Sequence, residues 1–339
     1  MRIRALLSLV ILLLAAPASA RADEDSATDV ASPDPRLPKA TLWQRIVDPH
    51  GPEIAAVLYH ARALHQRARE IDAGTHTGYH PIRRRLLEDA RGMLRYALRL
   101  SPDHLDVIAL LADVEDTAGQ PAAAIRGYRE YMERTEDRHL SRARCLRFGV
   151  LLARTGQDRQ AARALQRCID LPYLPHIELK EHHRSRAIAA RAMVLAHDDR
   201  LDDAFALLHR NLEVERDQLV AFTLAVLYDQ DEQITRAYEI LEQDFNAMHD
   251  ELTFQAVAQR LQVQPFLPAA ERHYYLALLY ESRGLLADAR NEWLAYVHSS
   301  ALVRYHRRAR KHIRDVDRLL EQRHRDGTDS PRPTARPPP

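Results

Sequence analysis

The sequence predicts an all-α solenoid of antiparallel helix pairs, and three observations carry that expectation. Runs of alanine, leucine, arginine and glutamate recur along the chain, and these side chains lose little freedom on a helix surface. Only 10 glycines occur in 339 residues, too few for a loop-rich or nucleotide-cradling architecture. One pattern of large, small and turn residues returns several times at a similar spacing. With 46% hydrophobic residues the chain can bury a core, and it shows no aromatic or β-branched enrichment that would favour sheet.

The first twenty residues stand apart. Arg2 and Arg4 precede an apolar run from Ala5 to Ala16, and Pro17 leads into Ala18-Ser19-Ala20. A positive start, a short apolar core and a small-x-small ending make the pattern of a cleavable secretory signal. The run is shorter than the about 20 apolar residues a spanning helix needs. No cysteine follows it to suggest a lipid anchor, and no second run of spanning length appears. The mature chain is therefore expected to be periplasmic or secreted, with no transmembrane span.

Residues 21–40, rich in Asp, Ser, Ala and Pro without an apolar period, predict a flexible leader. Helix-length segments fill 41–301. The clearest unit runs Leu276-Ala277-Leu278-Leu279-Tyr280, Gly284, Ala289, Trp293, Tyr296. Leu111-Ala112, Gly119, Ala124, Tyr128 and Tyr131 repeat it, as do Phe148-Gly149, Leu152, Gly156, Ala161, Leu165 and Cys168. Weaker copies run from Leu224-Ala225 and Tyr228 through a polar turn at 230–233 to Ala237 and Leu241, and from Ala192 and Leu195 through 197–200 to Ala204 and Leu208. Ala90, Leu94 and Ala97, ending at Pro102, read as the second helix of a preceding unit. Ala112, Gly149, Ala192, Ala225 and Ala277 are small where helices must approach, and the turn glycines suit a left-handed helix end.

This pattern resembles the tetratricopeptide repeat of exported bacterial proteins, over roughly residues 53 to 301. The resemblance implies a right-handed superhelix of five to six units whose first helices line a concave groove that binds another polypeptide. Carried over unit by unit, the two central groove positions are Ala109 and Asp113, Leu146 and Val150, Ala189 and Met193, Phe222 and Val226, and Tyr274 and Leu278. Asp113 and Asp116 would give this groove an acidic end. Residues 245–269 break the pattern and predict an inserted helix over Asp250 to Gln262, ended by Pro265 and Pro268.

Residues 302–326 predict a basic C-terminal helix with Val303, Ile313, Val316, Leu319 and Leu320 as its apolar residues. A capping role suits it, because end repeats need a polar outer face. Self-association, or docking on an acidic or lipid surface, is the alternative. Residues 327–339, dominated by Pro, Arg, Ser and Thr, predict a disordered tail.

Little in the sequence points to catalysis. The net charge of +1 gives no field for nucleic acid, and lysine occurs only at Lys39, Lys180 and Lys311. No nucleophile elbow, phosphate loop or Cys-x-x-Cys is present. Of the 18 histidines, His76 and His80 have ligand spacing but fall in an expected loop, His176, His182 and His183 cluster, and His306 and His312 stand six apart. Each lacks a matching second pair, so solvated surface histidines are expected, with no metal or cofactor. A metal- or carboxylate-dependent enzyme, or an accessory subunit of one, is the alternative to a binding scaffold. Cys145 and Cys168 fall at the same level across an antiparallel hairpin, since their index sum equals that of Thr155 and Asp158. They can form a disulfide in an oxidising compartment or be two small buried residues.

Overall fold

The computed structural model describes residues 49–73, 80–172, 182–244 and 251–326. The signal, leader and tail expected at 1–20, 21–40 and 327–339, with His76 and His176, lie outside them. Among the described residues the architecture is all-α, without a strand. The first pair is α1 (Gly51–Ala73) and α2 (His80–Leu100), the second α3 (Leu105–Thr117) and α4 (Pro121–Arg134). The third is α5 (Arg142–Arg154) and α6 (Asp158–Asp170), and the fourth α7 (His183–His197) and α8 (Leu201–Val214). The fifth is α9 (Gln218–Gln230) and α10 (Ile234–Asp244). A single helix, α11 (Glu251–Val263), precedes the sixth pair, α12 (Glu271–Ser282) and α13 (Leu286–His298), and α14 (His306–Arg325) follows. His80 therefore opens a helix and does not sit in a loop.

The hairpin turns explain the spacing of the repeat. Gly119, Gly156 and Gly284 have φ of 72°, 75° and 69°, in the left-handed region. Asp199 and Glu232 hold the same place in the fourth and fifth pairs, with φ of 57° and 60°. In all five turns the next N–H reaches the carbonyl five residues back at 2.9 Å: Gln120 to Glu115, Gln157 to Leu152, Arg200 to Leu195, Gln233 to Tyr228 and Leu285 to Tyr280. That bond satisfies a carbonyl the helix end would otherwise leave open. The weaker copies thus share the turn without its glycine. A left-handed residue with a Cβ costs on the order of 1 kcal/mol, so Glu232→Gly is expected to stabilise by about 0.5–1 kcal/mol after the added chain entropy is subtracted. A rise in urea midpoint checks it; an unchanged midpoint would mean the turn carries no such strain.

The small residues sit at close approaches. A Cβ on Gly149 would lie 2.6 Å from Cγ of Leu165, so α5 and α6 can meet only with glycine there. Apart from α10 and α11, consecutive helices pack on one another, and first helices of adjacent pairs also touch: α1 with α3, α3 with α5, α5 with α7, α7 with α9, and α9 with α12. That nearest-neighbour pattern is the signature of a solenoid. One apolar core runs from α3 to α14, and a second joins α1, α2 and the facing side of α3.

The inserted helix alters the inner face. α11 packs on α9 and α12, both first helices. Arg260 pairs with Asp217 at the start of α9 at 2.7 Å, and Arg186 of α7 donates to the Val263 carbonyl at 2.6 Å. Phe266 then stands edge-on to Tyr275 of α12, centroids 5.0 Å apart. The first-helix face of the fourth to sixth pairs is covered by this segment.

Candidate functional site

What remains open of the inner face is a cleft of about 700 Å³ on the first four pairs. Its floor is α5, which presents Leu146, Val150 and Leu151. Arg69 of α1, Arg147 and Arg154 of α5, and Arg186 and His183 of α7 surround that floor, and Val263 and Pro265 close the far side. One carboxylate, Asp116 of α3, lines it. Burial raises the Asp116 pKa, against the pull of Arg154 and Arg147. Arg69 and Arg154 are exposed and form no ion pair among the described residues. The cleft has cationic walls and an apolar floor of which Val150 is the accessible α5 residue, Leu146 and Leu151 being buried.

The expected groove residues are placed differently. Phe222, Val226 and Tyr274 are fully buried, and Met193 and Leu278 nearly so, because neighbouring helices and the α11 segment pack on that face. They are core rather than binding surface. Only Leu146 and Val150 reach the cleft, and Val150 is the more exposed of the two. Asp113 does not give the groove an acidic end. It is buried, accepting from the Tyr128 hydroxyl at 2.8 Å, Arg147 Nη1 at 2.9 Å and Arg144 Nε at 3.1 Å. Asp116 does line the cleft, but among arginines that outnumber it.

A second polar cluster holds α14 in place. Asp229 of α9 is buried and receives three partners. The Tyr274 hydroxyl donates at 2.6 Å, His312 Nε2 at 2.9 Å, and the Arg308 guanidinium through Nε at 3.1 Å and through Nη2. His312 Nδ1 donates to Glu281 at 2.9 Å, and the Trp293 indole donates to the same oxygen at 2.9 Å. The imidazole stacks on Trp293, centroids 4.4 Å apart. Burial pushes the His312 pKa down, but bonds to Asp229 and Glu281 override it and raise it to about 9. Burial likewise opposes ionisation of Asp229, yet His312 and Arg308 hold its pKa well below the usual carboxylate range. Glu271 continues the cluster, accepting from Tyr296 at 2.8 Å and Gln230 at 2.7 Å.

His306 and His312 are therefore not solvated surface histidines, and His65 and His183 are buried too. His312 is a structural ion-pair partner. His182 stands just before α7 in the left-handed region, at φ 48°. Among the described residues no group of three or more His, Cys, Asp and Glu is arranged to hold a metal ion. No described helix is long and apolar enough to cross a membrane. Cys145 and Cys168 are disulfide-bonded across the α5–α6 hairpin, with Cα atoms 5.6 Å apart.

These paired helices, stacked with a common left-handed turn, decide the architecture. The fold is a tetratricopeptide-like solenoid. No protein-family model and no curated protein matches the chain. Among solved structures it is similar to MamA, at 13% identity over 55% of this chain and 99% of that one, with a TM-score of 0.41. It is similar to pilF of Pseudomonas aeruginosa at 18% identity over 74% of this chain and 96% of that one, TM-score 0.43. The TPR domain of P58(IPK) aligns at 13% identity over 80% and 99%, TM-score 0.28. Likenesses this distant add nothing to the argument, which rests on the chain's own turns and packing.

Sequence reasoning missed both the cleft arginines and the Asp229 cluster. One signal was available. Asp116, Asp229 and Glu281 each stand three residues before the left-handed turn residue, a recurrence of acid at a position that Ala153 and Ala196 fill in the other pairs.

Proposed function

We propose that this chain is an exported binding scaffold that holds an extended, acidic segment of another polypeptide in the cleft on its first four pairs. The observation that carries the reading is the cleft itself: half-buried Val150 on a floor of Leu146 and Leu151, bordered by Arg69 and Arg154, two exposed guanidinium groups that form no ion pair among the described residues. Guanidinium groups bind carboxylates through paired, charge-assisted hydrogen bonds. Val150 beside them offers an apolar contact for a side chain of an extended segment. The signal pattern of residues 1–20 and the Cys145–Cys168 bond support a location outside the cytoplasm, where such bonds persist. The partner is then an envelope or secreted protein.

The test places a photoreactive residue at Val150, with the same residue at exposed Arg129 on a second helix as control. Capture of one polypeptide from Val150 and not from Arg129 is expected. Arg69→Gln with Arg154→Gln should weaken the captured partner's affinity by about tenfold or more, since each charge-assisted bond contributes about 1.5–3 kcal/mol. Equal mixtures from both positions, or an affinity unmoved in the double variant, would end this reading.

A further inference from the structure

α14 docks one face and leaves the opposite one bare. Arg308, Ala309, His312 and Val316 are buried against the cluster around Asp229. On the helix's outer side Arg307, Arg314, Arg318 and Arg325 fall almost in line, with exposed Arg310 and Lys311 beside them. At 1.5 Å per residue that row is about 27 Å long. Glu321 is the one fully exposed acid within it. Asp315 is half-buried and pairs with Arg318 at 3.3 Å, and Asp317 is drawn away to Arg290 of α13 at 2.5 Å. Arg307, Arg310, Lys311 and Arg314 form no ion pair among the described residues.

We propose that this outer row of α14 is a docking surface for an anionic lipid bilayer. Four unpaired cations within eight residues repel one another, and a surface of opposite charge relieves that repulsion. The row is straight and convex, so it has no concavity to select the shape of a folded acidic protein. It carries no aromatic side chain on which bases could stack, as single-stranded nucleic acid requires. Anionic headgroups move laterally and match any spacing of charges. Val303, 76% exposed, precedes the row as an apolar contact for the interfacial region. The apolar face of α14 is already buried on α13, so the contact is peripheral, without insertion. It would hold the solenoid at a membrane while the cleft, on the first four pairs, stays free.

The test is cosedimentation of the protein with vesicles of phosphatidylcholine alone and of equal parts phosphatidylcholine and phosphatidylglycerol. Binding to the anionic vesicles alone, weakening steeply as salt rises, is expected. Each cation near such a surface contributes about fivefold in partitioning, so Arg307→Gln, Arg310→Gln and Arg314→Gln together should lose at least tenfold. All three side chains point away from the Asp229 cluster, so the thermal midpoint should not move; Arg314→Gln alone, with about a fivefold loss, keeps the test decisive if it does. Equal binding to both vesicle types, or unchanged binding in the variants, would overturn the proposal. So would soluble polyglutamate or RNA stripping the protein from the vesicles at physiological salt, which would assign the row to an acidic macromolecule.

Discussion

Asp229→Ala is expected to destabilise the protein by about 3–5 kcal/mol, the largest effect of any single substitution considered for this chain. The carboxylate is 2% exposed and neutralises two cations that reach it from a helix about 80 positions on, Arg308 and His312. Its removal leaves the buried Arg308 guanidinium without its hydrogen-bonded counter-charge, with Glu281 acting on it only from further off, and it strips the Tyr274 hydroxyl of its acceptor. Breaking a buried pair from one side costs more than the pair ever contributed, because the surviving charge keeps its desolvation penalty. The damage should be local at first. Contacts in a solenoid run between neighbours, so α14 should detach while the first four pairs persist. Urea unfolding, with limited proteolysis inside His306–Arg325, reads both effects. A loss below about 1 kcal/mol would show that α14 is held by its apolar side chains alone.

The same cluster sets a pH profile. The folded pKa of His312, about 9, lies above its unfolded value near 6.5. Its contribution is therefore complete below about pH 6.5 and is lost as pH rises through 9, up to about 3 kcal/mol. Asp229 has the opposite sign: its depressed pKa stabilises above the unfolded carboxylate range and is lost in acid. His65, buried between α1 and α3 with a hydrogen bond to Thr117 at 2.8 Å, is pushed by burial to about 4. It must charge on unfolding near neutrality, so its penalty also falls on the acid side, between about pH 6.5 and 4. Stability should peak between these limits, and His312→Gln should flatten the alkaline arm and, by relaxing the Asp229 pKa upward, shrink that residue's part of the acid arm as well.

How much of this was legible depends on the range of the interaction. The hairpins could be read because a turn glycine, a small residue and a large residue lie within one pair; Gly149 meets Leu165 sixteen positions on, with Gly156 turning the chain between them. The turn of the fifth pair was read one residue early, since Gln230 looks like a loop residue but ends α9 buried, bonded to Glu271. The inner face was not legible. Phe222 and Tyr274 occupy the register of groove residues, and nothing local distinguishes an exposed anchor from a side chain that a later segment covers. That cover, α11 with Phe266, is visible in the sequence only as an interruption. Asp229 reads as one more surface acid until Arg308 and His312 arrive from the far end of the solenoid. The cleft arginines were hidden differently: they come from three separate first helices, and only stacking brings them together.

Reduction of the Cys145–Cys168 bond is expected to lower stability by roughly 3 kcal/mol. The two residues are 23 apart in sequence, and a cross-link closing a loop of that size removes about that much freedom from the unfolded chain. Both side chains are fully buried, so the loss adds to packing that already exists and does not replace it. Arg142 supports the same hairpin at its other end, where Nε donates to the Cys168 carbonyl at 2.9 Å and Nη2 to the Leu171 carbonyl at 2.6 Å. α6 therefore ends on a guanidinium supplied by the first turn of α5, and the disulfide locks the two helices one turn further in. This third pair is also the floor of the cleft and touches both neighbouring first helices, α3 and α7. Loosening it should uncouple the pairs before it from those after it, because a solenoid transmits stability only through adjacent contacts. The reduced protein should accordingly show an earlier and broader urea transition than the oxidised one, and Cys145→Ala with Cys168→Ala should reproduce it without reductant. A midpoint that reductant leaves in place would mean that Arg142 and the Gly149–Leu165 contact hold the pair unaided, and that the bond reports the compartment of the protein more than its stability.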